Sequence, residues 1–144
     1  MNNWKIFVDG SCRKNKNGGI GVVWLRNGEK VYEYSKGYTN VTNNIMELLA
    51  IGVALRSIRK PIESLEIVSD SEYALGCIFN ENWHPKKNVE LINKIKEQLI
   101  NTQSLVKNPI TYRHIDGHQK GNNDDIKWNN RCDMLAQSES KMIL

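Results

Sequence analysis

The segment GGIGVVWLRNGEKVYEYSKGY, residues 18–38, predicts two β-strands joined by a tight turn. β-branched and aromatic residues lie on both sides of Asn27-Gly28, a pair that strongly favours a two-residue hairpin. Upstream, NWKIFVDGS (residues 3–11) alternates apolar and polar side chains and ends at an Asp-Gly turn signal, which predicts another strand. The chain is therefore expected to open with a three-stranded antiparallel meander.

Helices and strands alternate after this meander. An apolar helical run covers about residues 43–59 and is stopped by Pro61. Further strands are predicted at residues 64–70 and 110–116, and further helices at 71–83, 88–101 and 128–142. The order βββαβααβα predicts an α/β fold with a five-stranded mixed sheet, in which three antiparallel strands precede two parallel ones and helices cover both faces. We expect residues 1–144 to form one domain.

Composition limits the possible classes of protein. The chain has 144 residues, 40% of them hydrophobic and 25% charged, which is typical of a globular domain. No stretch is long and apolar enough to span a membrane, and the start MNNWKIFVDG lacks signal-peptide features, so we expect a cytoplasmic protein. Three cysteines without a CxxC pair argue against a disulfide framework. The net charge of +4 permits a polyanionic partner but also fits an ordinary, mildly basic protein.

Glu47 is the one charged residue within the apolar run NNIMELLAIGV, residues 43–53. If Asn44 is the N-cap, Glu47 could reach back to it as in a capping box. The helix is apolar nearly all round, however, and a buried carboxylate requires a compensating partner. Both interpretations remain open from this segment alone.

Asp9 and Asp70 end the first and fourth predicted strands. If those strands are parallel neighbours, both side chains emerge at the sheet edge where α/β folds bind ligands. Each also has an ordinary structural interpretation, because Asp9 could begin a turn and Asp70 could lie inside a Ser69–Glu72 capping box.

Asp133, on the last helix, would complete a set of four carboxylates with Asp9, Glu47 and Asp70, although alone it could be a surface charge. Such a cluster would repel by roughly 1–4 kcal/mol per close pair, so it predicts raised pKa values or a divalent cation. Oxygen ligands favour Mg²⁺ or Mn²⁺. Zinc is not expected, because the three histidines have no partners at ligand spacing.

The combined motifs resemble the type 1 ribonuclease H family over essentially the whole chain. The matching pieces, in the family's order, are FVDGSC through NGGIG, TNNIMELLAIGVAL, IVSDSEYAL, IDGH and NNRCDMLA. The resemblance implies an endonuclease that hydrolyses the RNA strand of RNA–DNA hybrids and leaves 5′-phosphate and 3′-hydroxyl ends. It implies that two Mg²⁺ ions, with Mn²⁺ as an alternative, are held by Asp9, Glu47, Asp70 and Asp133, and that His118 assists proton movement or product release.

The resemblance also implies substrate contacts. The backbone at Gly10 and Ser11 would lie near 2′-hydroxyl groups together with Glu47. Asn15, Asn44 and Glu72 would lie at minor-groove edges, and Thr42 with Asn44 would bind a phosphate of the DNA strand, a role that can coexist with helix capping. The protein is expected to act as a monomer, with a possible accessory hybrid-binding partner.

Three features depart from the family pattern. Glu72 replaces a common glutamine and cannot donate a hydrogen bond when ionised. The basic protrusion of some members is missing between the second and third helices, and the segment from His118 to Asp133 is long. These departures keep two alternatives open: a hybrid-binding module with weak or no turnover, and another nuclease of the same fold, of the DNA resolvase or transposase type.

Overall fold

The computed structural model describes residues 2–117, 119–121 and 123–142. Nine elements follow the predicted order: β1 Asn3–Cys12, β2 Gly18–Arg26, β3 Glu29–Tyr38, α1 Asn43–Arg56, β4 Ser64–Ser69, α2 Glu72–Phe79, α3 Val89–Gln103, β5 Thr111–His114 and α4 Asp124–Met142. The predicted order βββαβααβα is therefore confirmed.

The five strands form one mixed sheet in the order β3-β2-β1-β4-β5. β1 pairs antiparallel with β2 and parallel with β4, which in turn pairs parallel with β5. Asn27 and Gly28 both have positive φ, 52° and 87°, as a two-residue turn of the predicted kind requires. The predicted topology is confirmed, and it makes β1 the central strand.

Helices cover both faces of the sheet because successive β1 side chains point in opposite directions. Ile6 and Val8 belong to a core beneath α1, α2 and α3, whereas Phe7 joins Val68 and Cys132 in a smaller core beneath α4. All these side chains are at most 1% exposed. Every cysteine is a free thiol, as the sequence predicts.

The ends of α1 differ from the prediction. Thr42, not Asn44, is the N-cap, and its Oγ1 accepts a hydrogen bond from the Ile45 amide at 3.2 Å. The helix ends at Arg56 rather than near residue 59. The C-cap Ser57 donates its hydroxyl to the Ala54 carbonyl at 2.6 Å, so its side chain competes with backbone N–H groups for the last carbonyls of the helix. Its Oγ also accepts a hydrogen bond from Trp24 Nε1, which links the end of α1 to β2.

The start of α2 also differs from the prediction. Ser71 is the N-cap, and its Oγ accepts from the Ala74 amide at 3.1 Å. Ser69 Oγ instead accepts from the Ser71 amide, so the predicted capping box between Ser69 and Glu72 is wrong. Ser71 caps the helix rather than Ser69 because Ser69 is the last residue of β4 and Asp70 lies in the turn between the strand and α2.

The last helix begins about one turn before the predicted start at Trp128. Asp124 and Asp125 form its first turn, where negative charge stabilises a helix. Asp125 also receives two hydrogen bonds from Arg113 of β5, at 2.6 and 3.2 Å. Both acids therefore belong to the helix and not to the loop that precedes it. Within the part of the chain described, no helix is long and apolar enough to cross a membrane.

Candidate active site: an acidic pocket at the sheet edge

Asp9 and Asp70 meet because β1 and β4 are parallel neighbours. Their register pairs Val8 with Ser69, so the next residue on each strand is an aspartate. Both carboxylates therefore emerge at the carboxyl-terminal edge of the sheet, as the sequence predicts. The Asp9 residue is 3% exposed and Asp70 is partly buried.

Glu47 reaches the same edge because α1 crosses close to Gly10. A Cβ atom at position 10 would collide with the Glu47 amide nitrogen and the Met46 backbone carbon, so only glycine allows this approach. The Gly10 amide donates to Asp9 Oδ1 at 2.9 Å and to Glu47 Oε1 at 3.1 Å. One backbone N–H group thus orients two carboxylates from different elements.

These carboxylates form a compact group. Asp9, Glu47 and Asp70 each offer one oxygen atom, and the three atoms lie within 4.8 Å of one another. Glu47 is only 5% exposed. Asp9 Oδ2 and Glu47 Oε2 are buried and, among the described residues, have no hydrogen-bond donor. Two ionised buried oxygens without donors are unfavourable unless a proton or a cation lies between them.

The electrostatics of the pocket agree with this geometry. Burial, followed by the negative charges of Glu47 and Asp70, raises the pKa of Asp9 far above its ordinary value. Burial likewise raises the pKa of Glu47, and the hydrogen bond from the Gly10 amide only partly opposes that shift. The group therefore attracts positive charge strongly, either as bound protons or as a cation.

Asp133 lies in the same pocket but outside the compact group of three. The pocket has a volume of about 440 Å³, and its lining combines residues of β1, α1, α4 and the turns after β4 and β5: Asp9, Gly10, Ser11, Asn43, Glu47, Asp70, Ser71, Gly117, Asp133 and Gln137. Gln137 Nε2 donates to both Asp133 oxygens, at 3.1 and 2.9 Å. All four predicted carboxylates therefore line one pocket.

The donor set fits a hard divalent cation. Carboxylate oxygens are the ligands that Mg²⁺ and Mn²⁺ prefer, and the unpartnered oxygens of Asp9 and Glu47 are available for coordination. The compact group contains neither thiol nor imidazole, so it does not resemble a structural zinc site. The cluster can therefore hold positive charge at the carboxyl-terminal edge of the sheet.

The other predicted site residues are placed differently. Gly10 and Ser11 line the pocket, whereas Asn15, Thr42 and Asn44 are exposed and are not among the described lining residues. Asn15 Oδ1 accepts from the Asn17 amide within the loop between β1 and β2, and Thr42 caps α1. The predicted catalytic residue His118 lies outside the described residues.

Glu72 projects into solvent beside the pocket, with 81% of its side chain exposed. His114 lies between Glu72 and the backbone of Asp70: its Nε2 is 3.2 Å from the Asp70 carbonyl oxygen, and its Nδ1 is 3.7 Å from Glu72 Oε1. Neither His114 nor Gln137 was predicted as a site residue. Gln137 could have been found, because it follows Asp133 by one helical turn, but no local signal links residue 114 to residue 70.

Comparisons with known proteins agree with this architecture. The family model described as RNase H matches residues 1–141. A Ribonuclease H of Clostridium botulinum (strain Hall) is 36% identical over 91% of each chain. A Ribonuclease H of Chlorobium luteolum is 34% identical over 92% of this chain and 91% of that protein.

Solved structures show the same fold. RNase H1 from the halophilic archaeon Halobacterium salinarum has a TM-score of 0.74 at 18% identity and covers 98% of this chain and 99% of its own. LC11-RNase H1, isolated from compost by a metagenomic approach, has a TM-score of 0.78 at 24% identity, and the match covers 98% of this chain and 97% of that one. Because the family match extends over nearly the whole sequence and the relatives align along most of their length, the chain belongs to the RNase H family.

Proposed function

We propose that this protein is an endonuclease that hydrolyses the RNA strand of RNA–DNA hybrids with two divalent cations, leaving 5′-phosphate and 3′-hydroxyl ends. The observation that carries the proposal is the compact group of Asp9, Glu47 and Asp70, whose oxygens lie within 4.8 Å of one another at the sheet edge. Membership of the RNase H family supports the substrate class.

Asp9, Glu47, Asp70 and Asp133 would hold Mg²⁺, with Mn²⁺ as an alternative. When bound, such cations supply a means to activate water and to stabilise negative charge on a leaving oxygen. The contribution of the chain is orientation: the Gly10 amide directs Asp9 and Glu47, and Gln137 directs Asp133. Because the two deepest carboxylates are at most 5% exposed, little water surrounds them and their charges are screened less than they would be in bulk water.

Substrate selection would depend on groups beside the acids. An enzyme that distinguishes RNA from DNA must contact the 2′-hydroxyl, which is displayed in the shallow minor groove of an A-like helix. Gly10 and Ser11 line the pocket and would contact that hydroxyl together with Glu47. The edges of the minor groove would be contacted by Asn15, Asn44 and Glu72. A phosphate of the DNA strand would bind at Thr42 and Asn44, where the first turn of α1 offers backbone N–H groups.

His118 is proposed to assist proton transfer or product release. We expect His118→Ala to reduce the cleavage rate by about 10²- to 10⁴-fold, the usual contribution of a general acid or base. A hybrid-cleavage time course at saturating Mg²⁺ measures this effect. An unchanged rate would transfer the role to another residue of the loop.

A cleavage assay on three matched substrates tests the proposed function. Hybrid, RNA duplex and DNA duplex of the same sequence are incubated with the protein while Mg²⁺ or Mn²⁺ is titrated. We expect cleavage of the RNA strand of the hybrid only. Cleavage of DNA duplex but not hybrid would instead indicate a resolvase-type nuclease, and hybrid binding without cleavage would indicate a binding module.

Asp70→Asn tests the role of the carboxylates within the same assay. The variant removes one negative charge from the compact group while keeping the size of the side chain. We expect it to retain hybrid binding and to lose cleavage at saturating Mg²⁺. Asp116→Asn, at an exposed loop residue outside the compact group, is the matched control and should cleave normally. Activity near the wild-type level in Asp70→Asn would contradict the proposed metal role.

A further inference from the structure

Glu72 is an exposed carboxylate beside the acidic pocket that takes no part in the compact group. It lies in the first turn of α2, two residues after Asp70. The His114 ring lies beside both residues, with Nε2 3.2 Å from the Asp70 carbonyl oxygen and Nδ1 3.7 Å from Glu72 Oε1, so Glu72 lies next to the turn that carries Asp70. A duplex that brings a phosphodiester to Asp70 therefore brings neighbouring base pairs to Glu72.

The lone pairs of Glu72 remain available to such a duplex. The 3.7 Å separation between its Oε1 and His114 Nδ1 exceeds hydrogen-bond length. With a proton on its Nε2, His114 donates to the Asp70 carbonyl at 3.2 Å, which fixes the ring. Glu72 thus presents an exposed acceptor whose neighbour is held in place from β5.

The minor groove offers an ionised carboxylate only one favourable partner among the base edges. A·T-type pairs display acceptors there, at adenine N3 and pyrimidine O2, whereas a G·C pair adds the guanine 2-amino donor. An ionised carboxylate accepts hydrogen bonds and donates none. It is therefore attracted by guanine and repelled by every other minor-groove base edge.

We infer that Glu72 is a specificity-determining residue that makes cleavage prefer a guanine at one position near the scissile phosphate. This inference rests on the proposed hybrid cleavage and on recognition of the minor-groove side. The chemical group recognised is the guanine 2-amino group, and the contact is a charge-assisted N–H···O hydrogen bond to the Glu72 carboxylate. His114 is the positioning residue for this contact, because its bond to the Asp70 carbonyl holds the turn from which α2 and Glu72 follow.

The test uses hybrids that differ by a single amino group. A library randomised around the cleavage point first locates the preferred position from the cleaved products. Hybrids with guanine or inosine at that position are then compared, since inosine lacks only the 2-amino group, and a third hybrid replaces adenine by 2,6-diaminopurine, which adds one. We expect kcat/KM to fall about tenfold from guanine to inosine and to rise from adenine to diaminopurine.

Two variants separate the contact from a general charge effect. Glu72→Gln has the same shape but can also donate a hydrogen bond to the minor-groove acceptors of the other bases, so the guanine-to-inosine difference in kcat/KM should largely disappear. Glu90→Gln makes the same change in the first turn of α3 and should keep the difference. Fluorescence anisotropy of hybrid binding in EDTA provides a readout without cleavage, and it should show the same pattern of preferences.

The outcomes distinguish this inference from the proposed function. Wild-type protein that cleaves hybrids but treats guanine and inosine alike would overturn the role of Glu72 and leave the nuclease intact. A guanine preference that persists in Glu72→Gln would overturn it too, because another group would then read the base. Failure to cleave any hybrid, with intact folding, would overturn the proposed function itself and this inference with it.

Discussion

Gly10 sets the distance between the central strand and the first helix, and with it the geometry of the acidic pocket. Its missing side chain lets the backbone of α1 approach β1, and its amide binds both Asp9 and Glu47. The polar group that orients the acids thus belongs to the residue that allows them to meet. This explains how Glu47, inside an otherwise apolar helix, becomes part of a site.

Gly10→Ala tests this role at the residue scale. The added methyl group must displace backbone atoms of α1, so we expect a loss of about 1–3 kcal/mol in the free energy of unfolding and weaker cleavage. Gly52→Ala on the same helix is the control, because its Cβ would meet only the Ile95 side chain, at 3.3 Å and beyond. Chemical denaturation and the hybrid assay measure both effects. Wild-type stability and activity in Gly10→Ala would show that the close approach is not required.

At the scale of elements, α4 carries Asp133 and is fastened to the sheet at two places by arginine–carboxylate pairs. Arg131 donates two hydrogen bonds to Glu33 of β3, at 2.6 and 3.0 Å. Near the start of the helix, Asp125 binds Arg113 of β5. These contacts cross the sheet from one edge strand to the other, so they fix the direction of the helix that brings Asp133 and Gln137 into the pocket.

The Glu33 pair predicts a pH dependence of stability. Hydrogen bonds from Arg131 and then Lys30 lower the pKa of Glu33 from 4.5 to about 2. A carboxylate with a lowered pKa stabilises the fold above its unfolded-state pKa, and this contribution is lost as the pH falls from about 4.5 towards 2. Glu33→Gln should therefore reduce the free energy of unfolding by about 1 kcal/mol at pH 7, a value limited by solvent screening.

The same denaturation series checks the sign of this effect. The difference between wild type and Glu33→Gln should shrink as the pH approaches 2. Glu29→Gln, an exposed residue at the start of β3, is the matched control and should show no such difference. A Glu33 effect that stays constant with pH would mean that the pair does not contribute through its charge.

Element order and strand pairing could be predicted from the sequence because they follow from local patterns and from the rules for parallel crossovers. The helix ends were predicted less well. Each helix end is set by a hydroxyl side chain that can bond to more than one backbone group: Thr42, Ser57 and Ser71. Which bond forms depends on neighbours that are distant in sequence, such as Trp24, whose Nε1 donates to Ser57. The contact between His114 of β5 and Asp70, in the turn after β4, joins residues 44 positions apart. No local sequence pattern predicts such a contact.

At the scale of the whole molecule, the fold gathers negative charge at one edge although the chain carries a net charge of +4. The proximity of Asp9 and Asp70 could be predicted from the parallel pairing of their strands, and the metal roles of the acids were inferred from family resemblance. Their burial and the unpartnered oxygens required the structure. This concentration of charge lowers stability in the absence of cations, and a bound cation should recover it.

Thermal unfolding of wild type and Asp9→Asn, in EDTA and in saturating Mg²⁺, measures whether a cation relieves the repulsion among these carboxylates. In EDTA the variant should unfold at a higher temperature, by a few degrees for about 1 kcal/mol, because folding no longer requires Asp9 either to take up a proton or to bury its charge. Mg²⁺ should raise the midpoint of the wild type strongly and that of the variant little. A wild-type midpoint that does not respond to Mg²⁺, or an equal response in both proteins, would show that Asp9 does not hold a cation in this pocket.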